Sequence, residues 1–217
     1  MKILVVGGSA GTGLATVDAL LGRGHTVTAF SRHASAMTER PGDLRRVDGD
    51  ATDVAAVGAV VPGHDAVVVT LGISEPAVRV RLRGARGTAD DVRSRGTSVV
   101  VDAMLRSGVR RLVTQSSFGV GETRDLLPLA SRLVFALLLK PQIADTERQE
   151  EVVRASGLDW TLVQPVNLTD DPAGNSLVST DGSHAGIRVP RRAVAEVLAD
   201  LATSAEHVGR SVAVSGR

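Results

Sequence analysis

Residues 2–14 read KILVVGGSAGTGL, and this stretch decides the fold. An apolar, largely β-branched run (Ile3, Leu4, Val5, Val6) breaks abruptly into Gly7, Gly8, Ser9, Ala10, Gly11, Thr12 and Gly13. An amphipathic helical pattern then begins at Leu14 and continues through Ala15, Val17 and Leu20. Strand, glycine turn and helix in that order bring backbone N–H groups and a helix N-terminus to one point, where a pyrophosphate can sit. Gly7 permits the sharp turn out of the strand, Gly13 lets the helix pack closely on it, and the small Ala10 lies where the backbone must approach the phosphates. A glycine-rich β–α turn alone can be purely structural. At the head of an alternating β/α chain it points to dinucleotide binding, with Gly7, Ser9, Ala10, Gly11, Thr12 and Gly13 as the cradle. The P-loop is excluded, because no Lys-Ser or Lys-Thr pair follows the glycines.

With 217 residues the chain is long enough to bury a substantial core and is read as one α/β domain over 1–217. A formal net charge of +1 implies no general attraction to nucleic acid or anionic membranes. Aromatic residues make up 2% of the chain and Tyr is absent, which argues against a base-stacking platform. Cys is also absent, so disulfides, thiol nucleophiles and cysteine metal sites fall together. His25, His33, His64, His184 and His207 are scattered without metal-ligand spacing, and no metal is expected. The N-terminus enters the first strand at Lys2, leaving no room for a signal peptide. No apolar run approaches the roughly 18 residues that a membrane helix needs. The expectation is a cytoplasmic protein, monomer or homodimer, that meets a small-molecule substrate and neither nucleic acid nor membrane.

Further along, the pattern predicts a helix over 12–21, a strand over 25–30, a polar turn over 31–40 and a short strand over 44–47. Thr52 is placed to cap a helix over 54–60, which Pro62 and Gly63 stop. Residues 65–71 (DAVVVTL) are a continuous apolar run, as expected of a central parallel strand covered on both faces. An irregular, Arg-rich segment over 74–95 precedes a helix over 97–107, a strand over 110–114 and a loop over 115–121. A helix over 143–155, a strand over 160–163, an irregular stretch, a helix over 191–201 and a strand over 211–214 complete the chain. Strands alternating with helices give a Rossmann-type, doubly wound, mostly parallel sheet.

In such a sheet the ligand crevice lies at the carboxyl ends of the strands. After the second strand an NAD site would carry an Asp or Glu for the ribose 2′-hydroxyl, whereas here Ser31, Arg32 and His33 follow. Arg32 can make a charge-assisted fork to a 2′-phosphate, with Ser31 and His33 assisting, so the expected cofactor is NADP(H). Asp50 and Ala51 follow the third strand, where an acid either accepts from the adenine amine or caps the next helix. Leu71 and Gly72 end the fourth strand, and a small residue there lets the cofactor pass close to the backbone. Ser116 and Ser117 follow the fifth strand, and Pro165, Val166 and Asn167 the sixth, so both groups are expected to border the nicotinamide. Either Ser polarises a substrate carbonyl or orders a water, or merely closes a turn; Asn167 offers an amide to the nicotinamide or substrate, or caps backbone. The substrate region is assigned to loops 73–95, 115–142 and 165–190.

With no Tyr in the chain, the Tyr-x-x-x-Lys pair of ordinary short-chain dehydrogenases cannot exist here. Hydride transfer would rely on proximity and orientation, with the proton from water or a weakly acidic donor. Glu147, Glu150 and Glu151, with Arg148 and Arg154, read as a solvated charged helix face. Arg79, Arg81, Arg83 and Arg86 form either a solvated loop or a mobile basic lid over an anionic ligand. Trp160 begins an internal strand and is read as core.

The stretches KILVVGGSAGTGLATVDALLGRGHTVTAFSRH, DAVVVTLG, VRRLVTQSSFGVG and VVRASGLDWTLVQPVNLTDDP resemble, in this order, the small atypical short-chain dehydrogenase/reductases of the NAD(P)H-binding group. That group includes biliverdin reductase B (flavin reductase) and NmrA-like redox sensors. The resemblance implies a Rossmann fold, NADPH binding and an active site without the Tyr-Lys pair. It places the first and third glycines on Gly7 and Gly13, the reader of the 2′-phosphate on Arg32, and the serine after strand five on Ser117. Asn167 falls where biliverdin reductase B has a histidine near its substrate. Ala10 replaces the middle glycine, and Gln164-Pro165-Val166 replaces the frequent Arg-Pro-Gly. The expected function is an NADPH-dependent reductase that passes hydride to a flat, conjugated acceptor such as a flavin, quinone or tetrapyrrole. A non-catalytic NADP(H)-binding redox sensor is the alternative. An epimerase or dehydratase acting on a nucleotide sugar is disfavoured, since it usually needs the Tyr-Lys pair and a larger substrate domain.

Overall fold

Alternation along the central strands sorts the core into two layers. In β1 (Lys2–Val6), Ile3 and Val5 join one apolar cluster while Leu4 and Val6 join another. The same division runs through β2 (Thr26–Ser31), β4 (Ala66–Val69), β5 (Arg111–Gln115) and β6 (Asp159–Pro165). Strands buried on both faces need helices on both faces. The computed structural model describes residues 1–72, 89–126, 140–172 and 174–217. On the first face lie α1 (Gly11–Gly22) and, from the C-terminal part, α5 (Arg191–Thr203). On the second lie α2 (Val54–Val60), α3 (Val92–Ser107) and α4 (Lys140–Ala155).

With β3 (Leu44–Asp48), β8 (Ser176–Ser179) and β10 (Arg210–Gly216), the sheet runs β3-β2-β1-β4-β5-β6-β10-β8. All pairings are parallel except β10 with β8. The expected doubly wound sheet is therefore present. Its order reverses between β1 and β4, and a crevice opens outside the carboxyl ends of the strands at that point. Beyond β6 the chain builds a separate two-stranded ladder from β7 (Asn167–Thr169) and β9 (Arg188–Pro190).

The differences from expectation are local. The stretch after Pro165, read as irregular, contains β7, β8 and β9, each too short to display a period. The helix expected from residue 97 begins at Val92, because a carboxylate from another helix, Asp145, accepts from Arg93 N and Ser94 N and supports the added turn. Thr52 does not cap α2; Asp53 does, its Oδ1 accepting from Ala55 N at 2.8 Å and Ala56 N at 3.2 Å. The four loop arginines Arg79, Arg81, Arg83 and Arg86 lie outside the described residues, as does much of the expected substrate region.

Candidate active site

The glycine turn is dictated by close approach. Gly7 has φ +87, and a Cβ there would lie 2.9 Å from the carbonyl oxygen of Thr70 at the end of β4. A Cβ on Gly13 would run into the Gly7 carbonyl oxygen and come within 2.5 Å of Thr70 Oγ1. Thr70 closes the junction by donating from N and Oγ1 to Val6 O, at 2.9 and 3.0 Å. Ala10 is the N-cap of α1, in extended conformation, and no side chain caps the helix there. The first N–H groups of α1 have no carbonyl a turn earlier to take them. Ala10 and Gly11 are exposed, so this end of the helix dipole faces outward.

A cleft of about 180 Å³ opens beside the turn, between the ends of β1, β2 and β4 and the start of α3. It gathers Gly7 and Ser9 from the first turn with Ser31 and Arg32 from the end of β2, and Asp50, Ala51, Leu71 and Gly72 complete it. His33 and Thr52 line it too. Arg32 and His33 are exposed at its rim. Ser31 Oγ is buried and has no partner among the described residues. Asp50 caps no helix: its Oδ1 accepts from Thr52 N at 2.8 Å and Thr52 Oγ1 at 2.7 Å. These bonds, with the Arg32 and Arg95 charges assisting, hold its carboxyl below the usual carboxylate range. Gly72 lacks a Cβ where the guanidinium of Arg93 packs, since a Cβ there would lie 2.9 Å from Nη2.

The carboxyl ends of β5 and β6 carry a second set of groups. Ser116 is 3% exposed, and its hydroxyl donates to Glu150 Oε1 from α4. The same oxygen accepts from Gln164 Nε2 at 2.8 Å, while Oε2 accepts from Arg154 Nη2 at 3.1 Å. Arg154 also reaches Glu122 and Ser211, both at 3.0 Å, and stands over the half-buried Trp160 ring at 5.4 Å. The charged helix face is thus no solvated stripe: Glu150 is 2% exposed, Glu147 pairs with Arg124, and of the three glutamates only Glu151 is exposed. Thr146, Gln149, Glu150 and Val153 share one face of α4 by their spacing, and all four are buried. Val153 gave the phase; the charges on its flanks disguised it.

Ser117 is half-buried, with a long 3.4 Å bond from its hydroxyl to Phe118 O. Pro165 and Val166 are buried and committed to pairing: Pro165 O accepts from Phe118 N at 2.9 Å, and Val166 N donates to Val214 O at 3.0 Å. Asn167 is exposed; its backbone N donates to Ile187 O at 3.2 Å and its side-chain amide bonds to no described residue. Of the groups expected near the nicotinamide, Asn167 is exposed, Ser117 is half-buried, and Ser116 is buried against Glu150. Buried polar atoms without a hydrogen-bond partner among the described residues include Ser31 Oγ, Thr114 Oγ1, Gln115 Oε1 and Gln164 Oε1, and others on α4 and β7. Each is costly to leave unbonded, by about 1–3 kcal/mol. Sequence reading took Glu150 for part of a solvated face and passed over Asp145 and Arg93.

A family model described as NAD(P)H-binding matches residues 7–205. An uncharacterised chloroplastic protein of Arabidopsis thaliana is 28% identical over 225 residues, which cover 100% of this chain and 77% of that one. The 3-diazoavenalumate denitrifying reductase of a Streptomyces species is 37% identical over 117 residues, 54% of this chain and 38% of that protein. The sterol demethylase protein B of Methylococcus capsulatus is 35% identical over 121 residues, and the match spans only 35% of its length. Among solved structures, a short-chain dehydrogenase/reductase of Veillonella parvula in complex with NADP superposes with a TM-score of 0.78 at 17% identity, covering 99% of this chain and 94% of that one. The anaerobillin reductase ChuY of Escherichia coli O157:H7 superposes with a TM-score of 0.77 at 20% identity, covering 100% and 97%. At these identities the structural likeness speaks for the fold.

Proposed function

The chain belongs to the NAD(P)H-binding family, whose model matches residues 7–205, and from that premise we propose that it is an NADPH-dependent reductase that passes hydride to a flat, conjugated acceptor of the flavin, quinone or tetrapyrrole class. The observation that carries this reading is the crevice itself: an uncapped helix N-terminus behind Ala10, and beside it a cleft with a buried, unpartnered Ser31 hydroxyl and no acid after β2. The residues fit the cofactor. The N–H groups at the start of α1 bind the pyrophosphate, and Ser31 Oγ with Arg32 holds the 2′-phosphate. When bound, NADPH supplies the hydride. Ser117 and Asn167 orient the acceptor, and Ser116, gripped by Glu150, holds the β5 loop rather than the substrate. With no Tyr in the chain, the proton comes from water or a weakly acidic donor and the acceptor supplies most of the reactivity. The name of the Streptomyces relative, a reductase, supports this class of chemistry.

In this reading the whole chain, 1–217, is one domain acting in the cytoplasm, as a monomer or homodimer, on a small molecule. Among the described residues no helix is long and apolar enough to cross a membrane. The lack of a dedicated acid favours a second reading, an NADP(H)-binding redox sensor without turnover. Steady NADPH oxidation measured with a panel of flavins, quinones and tetrapyrroles separates the two. Turnover with one acceptor supports the reductase; tight NADPH binding with no turnover on any supports the sensor.

A further inference from the structure

A second cavity, of about 300 Å³, meets α1 at Gly11 and shares no described lining residue with the cofactor cleft. Gly11 and Leu14 of α1, Thr169 at the end of β7, and Arg191 and Arg192 at the start of α5 form its walls. Two helices thus bring their first turns to one space, and neither has a side-chain cap, with Ala10 and Pro190 at the N-cap positions. The start of a helix presents N–H donors and the positive end of its dipole. Three carboxylates also line the cavity, and each already holds an arginine. Asp18 pairs with Arg40 at 2.5 Å, Asp170 with Arg191 at 2.9 Å and Asp171 with Arg188 at 3.6 Å. With their charges met, they make a poor seat for a cation. Arg192 is exposed, and its guanidinium has neither an ion pair nor a hydrogen bond among the described residues. Thr169 adds a hydroxyl whose oxygen is buried without a hydrogen-bond partner among the described residues. Such a group is costly to leave unbonded, and an acceptor in the cavity would satisfy it.

The phosphates of the cofactor have other seats in the reading above, at the start of α1 and at Ser31 and Arg32. We propose that this cavity binds a phosphate group that does not belong to the cofactor. Arg192 and the first N–H groups of α5 take its charge, and the Thr169 hydroxyl donates to a further oxygen. Donors from three directions suit the oxygens of a phosphate better than the two of a carboxylate. The group arrives either as free phosphate or as a substituent of the acceptor, since Thr169 lies two residues beyond Asn167. Only the second source rests on the reductase reading, in which Asn167 orients the acceptor.

The test titrates inorganic phosphate into the full chain saturated with NADP⁺, at fixed ionic strength, for wild type, Arg192→Gln and Thr169→Val. Affinities of FMN and of riboflavin, which lacks the phosphate, are measured on the same three proteins. NADPH affinity and thermal melts are measured separately. Wild type is expected to bind phosphate, or to bind FMN more tightly than riboflavin. Arg192→Gln should weaken that binding about tenfold and Thr169→Val about two- to tenfold, with NADPH affinity unchanged in both. Arg192 is exposed, so its replacement should leave the melting temperature intact and keep the test decisive even if Thr169→Val fails to fold. Phosphate binding with equal affinities for FMN and riboflavin assigns the cavity to the free anion. A preference for FMN that Arg192→Gln abolishes assigns it to the acceptor. The proposal is overturned if wild type neither binds phosphate nor prefers FMN, or if the binding is undiminished in Arg192→Gln. Equal weakening of NADPH and of phosphate in the variants would overturn it too, because the cavity would then serve the cofactor. Failure of wild type to bind NADP⁺ would instead remove the cofactor reading, and the same titrations on the free chain would still decide the cavity.

Discussion

The Ser116 hydroxyl at the end of β5 donates to Glu150 Oε1 in α4, so a carboxylate 2% exposed holds the loop that leads into the crevice. Gln164 from β6 and Arg154 from the same helix complete the set around that carboxylate. Removing it leaves Arg154 on Glu122 and Ser211, leaves the buried Ser116 hydroxyl without its acceptor, and leaves Gln164 Nε2 with Val120 O alone. Glu150→Ala is expected to destabilise the fold by about 2–4 kcal/mol, and Ser116→Ala by about 1 kcal/mol. Melting temperatures should fall by roughly 2–4 °C for each kcal/mol in a chain of this size. An unchanged melting temperature in Glu150→Ala would mean that the network contributes nothing.

The glycine turn is predicted to fail in two separable ways. A Cβ at Gly13 meets the backbone of Gly7, so Gly13→Ala should lower stability as well as NADPH affinity. Ala10 is exposed at the helix end, so Ala10→Leu should leave the melting temperature intact and abolish cofactor binding by filling the approach of the pyrophosphate. Titration of folded Ala10→Leu with NADPH decides the matter. Micromolar affinity retained there would make the turn structural only.

The sheet was legible in the sequence because its signals are local. The apolar runs of β1 and β4 need no knowledge of distant residues, and neither does the break at Gly7. The short strands β7, β8 and β9 gave no such signal, since three or four residues cannot display a period and their pairing is fixed by chain far away. Burial of Glu150 was hidden for a different reason. Its neighbours Arg148 and Glu151 are exposed, and charge density along a helix outweighs phase unless Val153 is used to set the inward face. The contact of Arg93 with Gly72 joins two elements across a crossover, and no spacing rule reports it.

His64 gives a pH dependence of stability with a definite sign. It is half-buried, with Nδ1 3.1 Å from Val61 O and Nε2 2.9 Å from Thr28 Oγ1. A neutral ring fits both partners, donating to the carbonyl and accepting from the hydroxyl. Burial, the largest effect, lowers its pKa in the fold, with the bond to Val61 opposing. The unfolded chain therefore binds a proton at a higher pH, near 6.5, than the native state does. Native stability should fall as pH drops below about 6.5, and His64→Gln should flatten that slope. Melts between neutral pH and mild acid check it; a slope identical in both proteins would remove His64 from the account.

If orientation rather than a dedicated acid carries turnover, Ser117→Ala and Asn167→Ala should each lower it about tenfold, whereas a general acid is worth about a hundredfold or more. Ser117 is half-buried and Asn167 exposed at adjacent strand ends, and no Tyr exists to take the acid's place. The measurement is turnover of a reducible acceptor across pH. A loss of several orders of magnitude, or a titration near neutrality that either substitution removes, would reveal a proton donor.

Cofactor choice is the sharpest test of the cleft. Arg32 stands at the rim where a carboxylate would bind the 2′-hydroxyl of NAD, and the Ser31 hydroxyl beside it is buried without a partner among the described residues. A 2′-phosphate supplies acceptors to both. NADPH should therefore bind more tightly than NADH by about ten- to a hundredfold, the range of one charged hydrogen bond. Arg32→Ala should erase most of the difference by weakening NADPH while leaving NADH nearly unchanged, because only the phosphorylated cofactor presents the charge. Ser31→Ala should remove a smaller share in the same direction. Isothermal titration of both cofactors against the three proteins checks each step. Equal affinities in the wild type would sink the NADP(H) assignment, and equal losses for both cofactors in Arg32→Ala would show that Arg32 serves the shared adenosine rather than the phosphate.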